Sequence, residues 1–446
     1  MGTPSRCTSI SGSACLPSPG FQGPTSLPGP SSGNPRPREG ADRPGAPDPL
    51  SLGPMLATFI PLFIAVSVAM IGMGIIAPIM PLYIRSFGAG GMAVGAVFAA
   101  FSLSRLLLGP VAGVLSDRVG RKRLIVWGLG AYAAVSVLYI VAQSLWQMGL
   151  FRLLHGVGSI LVTPIAQAYV GDLTPVGREG RITNIFYASM FAGMALGPLL
   201  GGYLVESWSL EAPFYAMGIL SLLALIGVAR WVPDDRKAPR GGASRAAPNL
   251  RAAVRSPAVI GLIVYFATRG LWRQSFNSFW PLLADSHGHS ESAIGLVLTG
   301  YLLGEGLCQI PFGYLADRFR RLPQIAVGAL LSPIPMFFVP LVRDLAGVVA
   351  LSAAMGVASA LGRASVLAIR TEAGRSHGMG TLAGVQNSAF AAGQMLGPIL
   401  AGTAFDLLGI SAPMYLGAAL GVAGGVLAVL LFSRELAPRP VAAGSP

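Results

Sequence analysis

Residues 113–123 read Gly113-Val-Leu-Ser-Asp117-Arg118-Val-Gly120-Arg121-Lys122-Arg123, and 200 positions later the chain reads Gly313-Tyr-Leu-Ala-Asp317-Arg318-Phe-Arg320-Arg321. A carboxylate, an arginine and a short basic run thus recur at one offset. The same offset carries Pro81-Leu82 onto Pro281-Leu282, Gly197-Pro198 onto Gly397-Pro398 and Ala212-Pro213 onto Ala412-Pro413, with no gap needed from residue 81 to residue 213. Self-similarity at a fixed offset marks a duplicated unit.

Apolar stretches flank each copy of the motif, and they continue outward in both directions. Twelve are found, with approximate limits 57–84, 92–116, 124–142, 147–171, 182–206 and 211–231, then 257–283, 292–316, 322–342, 345–369, 381–405 and 412–432. Each approaches or exceeds the ~20 residues that a helix needs to cross ~30 Å of hydrocarbon, and they are numbered spans 1 to 12 below. The composition agrees, being 53% hydrophobic and 11% charged, against about 25% charged in a soluble domain. Six spans separate the two copies, so both copies have the same orientation in the bilayer. The expected fold is an all-α integral membrane protein, with twelve transmembrane helices in two parallel six-helix repeats around a central cavity. Its expected divisions are a disordered tail over 1–54, rich in Pro, Gly and Ser, a bundle over 55–231, a linker over 232–256, a second bundle over 257–432 and a tail over 433–446.

The net charge of +13 would suggest nucleic acid in a soluble chain, but the positions of the charges argue otherwise. With both termini on one side, 24 of the 31 Lys and Arg residues fall on that side, which the positive-inside rule makes cytoplasmic. Arg85 and Arg343 fall outside, and Arg105, Arg152, Arg269, Arg273 and Arg363 fall within spans. Cys7, Cys15, Cys308 and four scattered histidines supply neither a disulfide framework nor a metal site, so no cofactor is expected. His287 and His289 read as a solvated loop. Neither Lys122 nor Lys237, the two lysines, is followed by Ser or Thr, which excludes a phosphate-binding loop and ATP-driven transport. A membrane enzyme would need a convergent dyad or metal cluster, and none is legible.

The motif at 113–123 resembles the signature loop of the major facilitator superfamily. The resemblance implies a gating role at the cytoplasmic face for Gly113, Asp117, Arg118, Gly120 and Arg121. The second copy keeps Asp317-Arg318 but has Arg320 where the family pattern has Gly, so its turn is expected to differ. The run Asp172-Leu-Thr-Pro-Val-Gly-Arg178-Glu-Gly-Arg181 is also similar to the family's, and implies salt bridges locking the same face. Gly193, Gly197, Pro198, Gly201 and Gly202, with Gly393, Gly397 and Pro398 in copy two, resemble the small-residue element of proton-coupled exporters, which implies packing at the seam between the halves. Arg152-Leu-Leu-His155-Gly156 is similar to the family's Arg-xx-Gln-Gly element and implies proton transfer at Arg152, with His155 able to titrate near neutral pH. Arg152 also lies near the outer end of its helix, where an arginine can snorkel. The Pro78-Ile-Met-Pro81 ending of span 1 resembles that of twelve-helix drug:proton antiporters, although the acidic residue several of them carry in this helix is missing.

Two midplane charges remain, Arg105 and Glu305, each twelve residues before its loop aspartate. Against lipid either would cost at least about 2.5 kcal/mol, so both should face protein or a wet cavity. Glu305 is a candidate proton carrier, with permanent pairing to an arginine such as Arg269 as the alternative. In span 7, Arg269 and Arg273 stand one turn apart among Trp272, Gln274, Phe276 and Asn277, a mixture that suits an amphiphilic ligand; helix packing is the other reading. Arg363 reads as a snorkelling residue. Five span arginines against one glutamate favour neutral or anionic amphiphiles over lipophilic cations. The expectation is a secondary active transporter, monomeric in a bacterial inner (plasma) membrane with both termini cytoplasmic. It would export small amphiphilic molecules against protons by alternating access, in the manner of multidrug efflux. A symporter or facilitator for an organic acid or sugar is the alternative, and neither enzymatic activity nor a nucleic-acid partner is expected.

Overall fold

In the computed structural model, residues 52–174, 179–232, 256–377 and 379–436 are described. The expected tail over 1–54 up to residue 51, the linker from 233 to 255, the last ten residues and Arg178 lie outside them, as do the side chains of Asp117 and Arg181. The described residues are helical throughout apart from turns and short connections, with no strand.

All twelve spans are present. Spans 2 to 6 are Gly91–Val119, Arg121–Ile140, Leu145–Leu173, Glu179–Ser207 and Ala212–Trp231. Spans 7 and 8 are Pro257–Ser286 and Glu291–Arg318, and spans 10 to 12 are Leu345–His377, Met379–Leu408 and Ala412–Leu436. Two spans are broken where the apolar pattern is continuous. Span 1 divides into Leu52–Ile75 and Met80–Ser86 around Pro78, which has no N–H to give and whose ring clashes with the carbonyl four residues back. Span 9 divides into Arg321–Leu331, Ile334–Phe338 and a 3-10 turn, Val339–Leu341, because Pro333, Pro335 and Pro340 interrupt it. The helix of span 1 also begins at Leu52, inside the segment expected to be a disordered tail.

Asp117-Arg118 and Asp317-Arg318 lie in the last helical turns of spans 2 and 8 rather than in loops. The turn after the first copy is a single residue, Gly120, at φ +100°, a backbone conformation that favours glycine. Arg320 in the second copy is at φ −56°, so the chain turns differently there, as its side chain requires.

Ten of the spans are apolar enough to cross a membrane by length and composition, and spans 7 and 11 fall short of that threshold. The shortfall has a structural cause: these two helices carry Arg269, Arg273, Gln274, Asn277, Gln386 and Gln394, all of which face the central cavity. Elsewhere the surface carries many large apolar side chains, with Leu107, Trp127, Leu307 and Leu430 each more than half exposed. A soluble protein does not expose so much apolar surface.

The repeat recurs in the packing. In the first copy span 1 packs on spans 5 and 6, span 4 on spans 2 and 3, and span 3 on span 6. In the second, span 7 packs on 11 and 12, span 10 on 8 and 9, and span 9 on 12. The copies meet where span 2 lies on span 11 and span 5 on span 8.

This arrangement corrects the role expected for the glycine strip. Gly193, Gly197 and Gly201 face Ser67, Gly74 and Ile75 of span 1, within their own repeat. Gly393 and Gly397 likewise face Ala267 and Leu271 of span 7. The seam uses the next face of the helix. There Gly202 meets the backbone of Glu291 and the Pro198 carbonyl meets Gly295, as Gly402 meets Gly91 and the Pro398 carbonyl meets Gly95. Residues four apart share a helix face, so 193, 197 and 201 form one stripe and 198 and 202 another.

Candidate functional site

Between the repeats lies a cavity of about 310 Å³. Span 7 shows how the sequence divides itself around it. Arg269, Arg273 and Asn277 recur at helical spacing on the face that lines the cavity. Trp272 and Phe276, expected to join them, are 2% and 1% exposed and point into the protein core instead. Trp272 packs edge-on against Tyr301, and Phe276 stacks on Trp280.

Glu305 in span 8 is fully buried. Its Oε1 accepts from Arg269 and, at 3.1 Å, from Arg363 of span 10. Arg269 Nε also donates to Ser359 at 3.1 Å. Arg363 therefore does not snorkel; it reaches back into the cavity because a carboxylate waits there. Oε2 of Glu305 has no hydrogen bond among the described residues. Arg105 and Glu305, equivalent in the repeat, do not pair: Arg105 donates to Gln394 of span 11 at 3.3 Å, and Gln394 donates to Gln274 at 3.1 Å.

Arg152 lines the cavity and is 7% exposed, which removes the snorkelling alternative. Its guanidinium lies over Phe98 at 4.7 Å and Phe101 at 5.5 Å. His155, one turn on, does not line the cavity. Its ring is buried against Phe101 and Tyr132, with Nδ1 3.1 Å from the Tyr139 hydroxyl. The other four cavity arginines also stack on rings: Arg105 on Phe101, Arg273 on Tyr301, Arg269 on Phe390 and Arg363 on Phe191. Such faces attract a cation without neutralising it.

Two pairs of symmetric contacts lie toward the helix ends. Beside the motif loops, Arg121 pairs with Asp172 at 2.7 Å and Arg321 with Glu372 at 2.6 Å, again 200 positions apart. At the opposite end Asp406 accepts from the backbone N–H groups of Gly91 and Met92 at 2.6 and 2.8 Å, capping span 2 from span 11. Glu206 accepts from Ser292 N–H at 3.3 Å, capping span 8 from span 5. A carboxylate at a helix N-terminus is stabilised by the unsatisfied N–H groups there. Residues 206 and 406 are acidic equivalents in the repeat, which is the signal that could have found them. Gln386, Asn387 and Gln394 were legible as polar residues at helical spacing in a largely apolar span.

In the loop after span 7 the rings of His287 and His289 lie 6.3 Å apart. Burial, then Arg343, lowers the His287 pKa below the ordinary imidazole value. Among the described residues no cluster of His, Cys, Asp or Glu could hold a metal ion.

The family model described as Major Facilitator Superfamily matches residues 62–274 and 258–446. The chain belongs to the Major Facilitator Superfamily. It is a multi-pass membrane transporter and not an enzyme. Within the superfamily it is 27% identical over 381 residues to the quinolone resistance protein NorA of Staphylococcus aureus (strain COL), covering 83% of this chain and 95% of that relative. The fold matches a point mutant of the nucleoside transporter NupG with a TM-score of 0.69 at 12% identity, over 84% of this chain and 99% of that one. It also matches a bacterial homolog of the human lysosomal transporter Spinster, inward-facing and unoccupied, with a TM-score of 0.64 at 17% identity, over 84% and 94% of the two chains.

Proposed function

We propose that this transporter is a proton-coupled exporter of small amphiphilic molecules, working as a monomer by alternating access in a bacterial inner membrane. The observation that carries the reading is the cavity itself. It lies between the repeats, lined by apolar and polar side chains together, with a buried carboxylate held by two arginines from different helices. An export role is supported by the likeness to a quinolone resistance protein across most of both chains. With both termini cytoplasmic, as the basic residues favour, the end latched by Glu206 and Asp406 is the periplasmic one. The cavity then belongs to an inward-facing conformation, ready to load from the cytoplasm. Two six-helix bundles, 55–231 and 257–432, would rock about the seam of spans 2, 5, 8 and 11, with the Arg121–Asp172 and Arg321–Glu372 pairs and the motif aspartates controlling the cytoplasmic gate.

Coupling follows from charge. Glu305 shares Arg269 and Arg363, and movement of either arginine toward a substrate or with its helix changes how readily the carboxylate takes a proton. Arg152 lies across the cavity as a second charge that this exchange can sense. The test uses inverted vesicles containing the protein, with an acid interior and a fluorescent quinolone outside. Uptake that collapses with a protonophore is expected. Uptake indifferent to the gradient would replace this reading with a facilitator, and uptake driven only by the opposite gradient would replace it with a symporter.

A further inference from the structure

Five guanidiniums and one carboxylate line this cavity or border on it among the described residues. Glu305 accounts for Arg269 and Arg363. Arg105, Arg152 and Arg273 have no carboxylate partner there: Arg105 has the amide oxygen of Gln394, Arg273 the Tyr301 ring, and Arg152 two phenylalanine rings. Nε of both Arg152 and Arg273 is buried and without a hydrogen bond. Arg105 and Arg273 moreover line the same cavity from opposite repeats, with Arg105 tied through Gln394 to Gln274, the chain neighbour of Arg273. Like charges brought together inside a membrane protein are costly unless something of opposite sign joins them.

Spans 1 and 5 contribute lining of another kind. Met70, Met73 and Met194, from spans 1 and 5, present soft thioether chains that adapt to varied apolar shapes. The cavity is thus amphipathic, cationic toward spans 2, 4 and 7 and methionine-rich toward spans 1 and 5. Its volume of about 310 Å³ lies at the small end of the ~300–1,000 Å³ range of drug-sized sites.

We propose that the transported ligand is an amphiphilic organic anion, whose oxyanion head is bound between Arg105 and Arg273, with Arg152 completing the positive field, while its apolar body lies against the methionines of spans 1 and 5. Guanidinium forks suit a planar carboxylate, giving paired N–H donors to its two oxygens. A lipophilic cation would meet five arginines and a single carboxylate already paired with two of them. The inference deepens the transport reading and rests on it only in taking the cavity as the ligand site. Neither proton coupling nor direction enters.

The test is binding to the full-length protein in detergent, without a gradient, so that it is independent of whether export is proton-driven. The probes are dansylglycine, its neutral amide and a dansyl trimethylammonium analogue, which share one apolar body. Dansylglycine is expected to bind at least about tenfold more tightly than the amide, as charge-assisted hydrogen bonds imply, and the cation most weakly. Arg105→Gln and Arg273→Gln should each bring carboxylate and amide to within about threefold, by a loss of carboxylate affinity larger than any change in amide affinity, with Lys at either position restoring part of the preference. Should either glutamine variant fail to fold, sulfate competition on the unaltered protein replaces it: sulfate should displace dansylglycine and spare the amide. Equal or tighter binding of the amide or the cation overturns the proposal. So does a carboxylate preference untouched in both variants or by sulfate. Thermal stabilisation by sulfate with no binding of any dansyl probe would show a site for inorganic anions only, and would overturn it too.

Discussion

Glu305 concentrates the residue-scale argument, because it carries the one negative charge among five arginines at the cavity among the described residues. Its Oε1 serves two guanidiniums and its Oε2 none. Two roles fit such a group. It can release its arginines and take a proton as the cavity alternates, or hold Arg269 and Arg363 in place permanently. Glu305→Gln separates them, since the amide keeps the shape and loses the charge. A carrier loses accumulation driven by a pH gradient and keeps substrate exchange at zero gradient, and this is the expected outcome in reconstituted vesicles. A structural partner loses both, together with thermal stability in detergent. Removing one member of a buried ion pair costs about 3–5 kcal/mol where water cannot enter, and less here, where the pair borders a cavity. Undiminished accumulation would remove Glu305 from the mechanism.

At the scale of helices, adjacent faces of span 5 perform separate tasks. Gly197 lets span 5 approach Gly74 of span 1, and a Cβ built there would stand 2.5 Å from the Gly74 Cα. Gly202, five residues on, faces the Glu291 backbone across the seam. The same substitution should therefore have different consequences at the two positions. Gly197→Leu overpacks a contact internal to one repeat, which costs about 1–3 kcal/mol, and should lower the melting temperature in every conformation. Gly202→Leu overpacks a contact that exists only while this end is closed, so it should shift the balance of conformations. A single cysteine at Asn277, in a chain otherwise freed of cysteine, reports on that balance through labelling by a membrane-impermeant thiol reagent from the periplasmic side. Gly202→Leu should speed the labelling, with Gly197→Leu leaving it unchanged. If both variants merely destabilise, the two faces have no separate functions.

Over the whole molecule, conformation depends on contacts that join the repeats, and the acids at 206 and 406 are the symmetric pair among them. Each carboxylate caps a helix of the opposite repeat, an interaction worth about 0.3–1 kcal/mol near the surface. Lost together, at about 0.6–2 kcal/mol, they would shift the equilibrium by about three- to thirtyfold, since 1.4 kcal/mol corresponds to a factor of ten. The double variant Glu206→Gln with Asp406→Asn should accordingly label faster at the Asn277→Cys position than either single variant, and each single faster than the parent. Labelling equal in all four proteins would show that the backbone contacts of Gly95 and Gly295 hold the seam by themselves.

Twelve apolar stretches, a 200-residue offset and an asymmetric distribution of arginine were enough to determine the membrane fold from sequence, and the family was legible in the resemblance carried by the motif from Gly113 to Arg123. These are one-dimensional signals: a bilayer demands helices of a fixed length, and a duplication preserves spacing whatever the side chains become. The cavity was legible as far as polar residues in apolar helices must face protein or water, which marked Arg105, Arg269, Arg273 and Glu305. Only the tertiary structure decided what each of these meets. The side of a helix on which Trp272 or Phe276 lies depends on rotation about its axis, and that is set by packing against neighbours far away in sequence. Arg363 was read as snorkelling because its depth is visible in the chain and its carboxylate partner is not. For the same reason the glycine strip of span 5 reads as an interface without saying whose. Small residues permit close approach, but the helix that approaches is chosen by the fold.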